Sequence, residues 1–123
     1  MFAGYLFSIV EYMAQREFLG GFELLVLLAL VRLGDEAYGV PIAQAIQESS
    51  GRDVAQGSVY LTLERLERKG LVTSRLGEPT PERGGRAKTY FRITAQGLRD
   101  VRRTRETLMN LWGGVPRLNG SRA

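Results

Sequence analysis

The segment from Gly57 to Gly70, Gly-Ser-Val-Tyr-Leu-Thr-Leu-Glu-Arg-Leu-Glu-Arg-Lys-Gly, constrains the fold of this chain more than any other. Val59, Leu63 and Leu66 fall at i, i+4 and i+7, so a helix here carries one apolar stripe. Ser58, Thr62, Arg65 and Lys69 make a second stripe, wholly polar. The helix starts near Gln56 or Ser58, stops at Gly70 and gives way at once to a strand, Leu71 to Leu76. Such a segment has one side to bury and one side to present.

The elements around it supply the rest of a domain. Phe18 to Leu33 is apolar on nearly every side, which suits a buried central helix ended by Gly34-Asp35. Gly39-Val40-Pro41 opens a second helix, with Gly39 as N-cap and proline tolerated in the first turn, and Ser49-Ser50-Gly51 closes it. After the first strand comes a long connection, Gly77 to Ala87, rich in Gly and Pro and carrying Arg83 and Arg86. It exceeds the roughly two to five residues of an ordinary hairpin loop. Thr89-Tyr90-Phe91-Arg92-Ile93 is the returning strand, with Phe91 and Ile93 toward the core and Tyr90 and Arg92 toward solvent or a partner. Three helices, a strand, a basic loop and a strand predict a winged helix-turn-helix over residues 18–93, in an α+β chain that is mostly α.

A last helix follows over residues 94–112, N-capped by Thr94. Leu98, Val101, Leu108, Leu111 and Trp112 form an apolar seam on it, interrupted by Arg105. The helix projects beyond the winged core, so the seam needs a further surface. A second copy in a C2 pairing supplies one, and the chain's own first helix is the other candidate. Residues 113–123 read as a disordered tail. Residues 1–17 read as a helical extension: their apolar stretch is shorter than the roughly 20 residues of a membrane span and lacks a signal peptide's basic start. Met13 offers an alternative start within that extension.

Composition excludes most chemistry. The 123 residues include no cysteine and no histidine, which removes disulfides, zinc fingers, cysteine nucleophiles and histidine acid–base catalysis. No carboxylate cluster has metal-ligand spacing and no glycine-rich phosphate loop occurs. The chain is therefore expected to be no enzyme and to need neither metal nor cofactor. Charge, by contrast, is segregated. Residues 1–53 hold 3 basic and 7 acidic side chains, whereas residues 83–105 hold 8 basic ones against Asp100 alone. A block of that kind suits a polyanionic partner.

Leu27 to Leu33, Tyr38-Gly39, Gly57-Ser58-Val59-Tyr60, Leu63-x-x-Leu66-Glu67-x-x-Gly70-Leu71-Val72 and Tyr90-Phe91-Arg92-Ile93-Thr94-x-x-Gly97 together resemble the PadR transcriptional regulators. The resemblance runs from about Phe18 to Trp112, and the single helix after the wing places the chain beside the short-tailed branch. It implies a cytoplasmic homodimeric repressor that binds an inverted-repeat operator on double-stranded DNA, without membrane contact. In such a protein Gln56, Ser58, Tyr60, Leu61, Thr62 and Arg65 contact DNA from the third helix, and Arg83, Arg86 and Lys88 contact it from the wing. Leu61 suits a thymine methyl, and Tyr60 a phosphate. Leu98, Val101, Leu108, Leu111 and Trp112 form the dimer face, and Trp112 is also the candidate contact for a small-molecule effector. A winged-helix module that grips an acidic protein instead of DNA is the alternative. A MarR-type regulator would keep the function and change the dimer.

Overall fold

The computed structural model describes residues 18–78 and 87–118. The expected N-terminal helix, Arg83 and Arg86 lie outside the described residues. Four helices and a two-stranded antiparallel sheet follow in the order α1 (Gly21–Leu33), α2 (Gly39–Ser50), α3 (Gln56–Arg68), β1 (Val72–Leu76), β2 (Thr89–Ile93) and α4 (Ala95–Gly113). This is a winged helix with one helix after the wing, as the element order predicts.

One core joins the helices to the root of the sheet. Val26 and Leu27 of α1, Ile42 of α2, and Val59, Leu63 and Leu66 of α3 are wholly buried, and Val72 and Phe91 extend the cluster into both strands. The stripe read from periodicity on α3 is thus the stripe that packs. At about 25 cal/mol per Å² of apolar surface removed from water, these aliphatic contacts outweigh any single polar contact in the molecule.

The exit from α3 is a Schellman turn. Leu71 N–H donates to Leu66 O at 3.0 Å and Gly70 N–H to Glu67 O at 3.0 Å. Gly70 has φ +78, a conformation that a side chain resists. The turn sends the chain straight into β1, whose Val72 pairs with Ile93 and whose Leu76 pairs with Thr89. β2 also donates from Phe91 N to Ala37 O at 2.8 Å, tying the sheet to the chain two residues before α2.

Thr94 caps α4 as expected: its Oγ1 accepts from Gly97 N–H at 3.0 Å and donates to Gly70 O at 2.8 Å. One hydroxyl therefore holds the start of α4 against the end of α3.

Three expectations change. Helix α1 is not enclosed: Leu25, Leu28 and Val31 are each nearly half exposed, and with Ala45 and Ile46 of α2 they line an apolar groove of about 480 Å³. An apolar circumference does not say how many sides find a partner. Gly39 is not the N-cap of α2 but its first helical residue, behind Tyr38, and it is buried. The first residues of the expected tail are structured: α4 runs through Gly113, and Pro116–Leu118 forms a 3-10 turn whose Leu118 O accepts from the Trp112 indole N–H. Among the described residues no helix is long and apolar enough to cross a membrane.

Candidate nucleic-acid interface

Helix α3 is held from three sides, which decides what its free side presents. Its stripe of Val59, Leu63 and Leu66 faces the core. On one flank Lys69 Nζ donates to Glu23 Oε2 at 2.8 Å, and Glu23 Oε1 accepts from Gly20 N–H at 2.8 Å at the start of α1. On the other flank the Tyr60 phenol lies on Gly39 of α2. A Cβ added at Gly39 would fall well inside van der Waals contact with Tyr60 Oη and Cζ, so a side chain here would have to displace the phenol.

The open side carries the ridge Ser58, Leu61, Arg65 and Arg68, at steps of three and four residues and exposed throughout, with Glu64 and Glu67 also exposed beside it. Gln56 is exposed at the N-terminal end. Leu61 is 64% exposed, an apolar side chain given to solvent in the middle of a short, firmly held helix. Tyr60 is 40% exposed beside the ridge.

Thr62 departs from the sequence-based expectation. It is 6% exposed, which leaves its hydroxyl little reach toward a ligand. Lys69, at the end of the same polar stripe, is turned to Glu23. The presented side is therefore rotated away from the stripe that polarity alone suggested. Arg68 belongs to that side and was missed; its spacing of seven from Leu61 and three from Arg65 was the available signal.

The root of the wing holds a chain of cations and rings. Lys88 Nζ lies 4.4 Å from the centre of the Tyr38 ring and 3.4 Å from its hydroxyl oxygen. Tyr38 and Tyr90 meet edge to face at 5.5 Å, and the Arg75 guanidinium lies 4.7 Å over Tyr90. Rings attract cations through their negative faces, so this stack keeps two positive charges beside the interface. Arg92 is spent on Asp35 at 2.5 Å, a pair that is 70% and 71% exposed and holds little energy.

On α4 the expected seam divides. Val101 is 9% exposed and belongs to the core of its own chain, and Leu98 is half-buried. Leu108, Leu111 and Trp112 remain 45%, 68% and 47% exposed. The nearer end of the seam thus serves the chain itself, and only the farther end is open.

Residues 27–103 match the pattern described as the transcriptional regulator PadR-like family. The chain belongs to the PadR-like family. Solved PadR structures are similar over most of its length. A PadR family transcriptional regulator from Eggerthella lenta is 26% identical, covering 98% of this chain and 96% of the other, with a TM-score of 0.61. A PadR family transcription regulator from Clostridium difficile is 27% identical over 77% of this chain and all of that one, with a TM-score of 0.57. A PadR-like transcriptional regulator from Bacillus cereus, at 20% identity and a TM-score of 0.65, covers 81% of this chain and 92% of its own and shares the fold. No curated protein matches the chain.

Proposed function

We propose that this PadR-like protein is a repressor that binds an inverted-repeat operator as a homodimer, placing α3 in the major groove and the wing along the flanking backbone. The observation that carries the reading is Leu61, 64% exposed on a ridge otherwise made of Ser58, Arg65 and Arg68. Water gains nothing from that side chain, whereas a thymine methyl in the major groove does. Ser58 and Gln56 take base edges or phosphates at the N-terminal end, Arg65 takes a guanine or the backbone, and Tyr60 and Arg68 take phosphates. Arg83, Arg86 and Lys88 act from the wing, in keeping with the basic block of residues 83–105.

Support for pairing comes from what the fold leaves uncovered. The open end of the α4 seam, Leu108, Leu111 and Trp112, matches in character the apolar groove between α1 and α2. Two copies related by a twofold axis bury both features twice, and the same axis gives an operator with two half-sites. Trp112, held by Leu118, serves this pairing first, and a flat aromatic effector is the second use of that face.

A mobility-shift assay with the DNA upstream of the protein's own coding sequence tests the reading. Retardation at low salt that weakens at higher salt supports it. No retardation at low salt overturns it in favour of the acidic-protein module.

A further inference from the structure

Tyr38 and Gly39 are neighbours in the chain, and each is touched by a different element of the candidate interface. Gly39 receives the Tyr60 phenol from α3, so close that a methyl group at Gly39 would displace the ring. Tyr38 receives the wing: Lys88 lies over its ring at 4.4 Å, Tyr90 stands edge-on at 5.5 Å, and Arg75 covers Tyr90 at 4.7 Å. Just before the pair, Ala37 is wholly buried and its carbonyl accepts from Phe91 N–H of β2 at 2.8 Å. The backbone of residues 37–39 is therefore fixed to the sheet on one side and to α3 on the other.

We propose that the Tyr38-Gly39 pair is the joint that sets the wing strands against the α3 ridge, so that both engage one duplex in register. The proposal rests on the DNA-binding reading above and adds positioning residues that touch no base. Two rigid elements that bind one polyanion need a fixed spacing, because a misplaced second element contributes none of its charge contacts. Gly39 supplies the spacing by close approach. Tyr38 supplies it by holding the ammonium of Lys88, which stays half-exposed and keeps donors free of the ring for a phosphate.

The test uses the full chain and a duplex of its own upstream DNA, titrated at several salt concentrations, with the active fraction counted by stoichiometric titration. Gly39→Ala and Tyr38→Leu are expected to bind at least about tenfold more weakly and to flatten the salt slope by about one unit per protomer, the share of Lys88. Tyr38→Phe keeps the ring against Lys88 and Tyr90 and is expected to retain the wild-type slope. Lost stability alone would lower the active fraction and leave the slope unchanged, and that result overturns the joint. So does a Tyr38→Phe variant that loses as much slope as Tyr38→Leu. Should Gly39→Ala fail to fold, Tyr38→Leu decides, because it removes atoms at a half-buried position instead of adding them. A wild-type protein that does not bind the duplex overturns the DNA-binding reading and the joint with it, whereas wild-type binding with unchanged variant slopes overturns the joint alone.

Discussion

Lys69 at the end of α3 and Glu23 in the first turn of α1 meet at 2.8 Å, with Glu23 side-chain exposure at 7% and Lys69 at 20%. Glu23 also caps Gly20, so one carboxylate closes the start of α1 and anchors the end of the presented helix. Removing one partner of such a pair strands the other in a partly dry site. Glu23→Ala is expected to lower stability by about 2–3 kcal/mol, somewhat below the value for a fully buried pair. The check is a urea melt in which the midpoint falls and the slope holds. A loss under about 0.5 kcal/mol would show that the pair carries no more than a surface contact.

Thr94 joins two helices through one hydroxyl, capping α4 at Gly97 and donating to Gly70. Thr94→Ala is expected to cost about 1–2 kcal/mol, the upper part of the range for an N-cap because two bonds are lost. Thr94→Ser keeps both bonds and is expected to recover most of that loss. Thermal unfolding of the two variants side by side gives the comparison.

Leu61 on the α3 ridge and Arg86 in the connection between the strands have different expected effects. Leu61→Ala removes an apolar base contact, so it should cost about 1–3 kcal/mol on the preferred sequence and little on unrelated DNA. Arg86→Ala removes a phosphate contact and should weaken binding to all sequences alike while flattening the salt slope by about one unit. Arg65→Ala separates the two roles assigned to it: sequence-selective loss means a guanine contact, uniform loss means the backbone. Competition titrations with specific and unrelated duplexes read all three.

Leu111 is 68% exposed beside Trp112 on the open end of α4. If that end pairs with a second copy, Leu111→Glu buries an unpaired carboxylate in the contact and should shift the protein from dimer toward monomer. Sedimentation velocity measures this directly. A variant that sediments like the wild type would remove α4 from the interface.

Features set by neighbouring residues were legible in the sequence. The buried stripe of Val59, Leu63 and Leu66, the stop at Gly70, the cap at Thr94 and the strand Thr89–Ile93 all follow from short-range spacing and backbone preference. Features set by distant contacts were not. Thr62 and Lys69 share a polar stripe with Ser58, yet the fold buries Thr62 and brings Glu23 to Lys69. Gly39 looked like a cap because glycine is permitted there, whereas its requirement comes from a tyrosine one helix away. The α1 helix looked buried all round because apolar content does not reveal which side lacks a neighbour. Site residues were therefore legible by type, and the rotation of α3 that selects among them was not.

The most direct measurement of the central claim is the binding constant of the wild-type protein for its own upstream DNA between 50 and 200 mM salt. Two protomers, each offering Arg65, Arg68, Lys88 and the wing arginines to phosphates, predict a log–log slope of about −5 or steeper. A slope near zero, or binding that does not discriminate this DNA from an unrelated duplex at any salt, would contradict the claim.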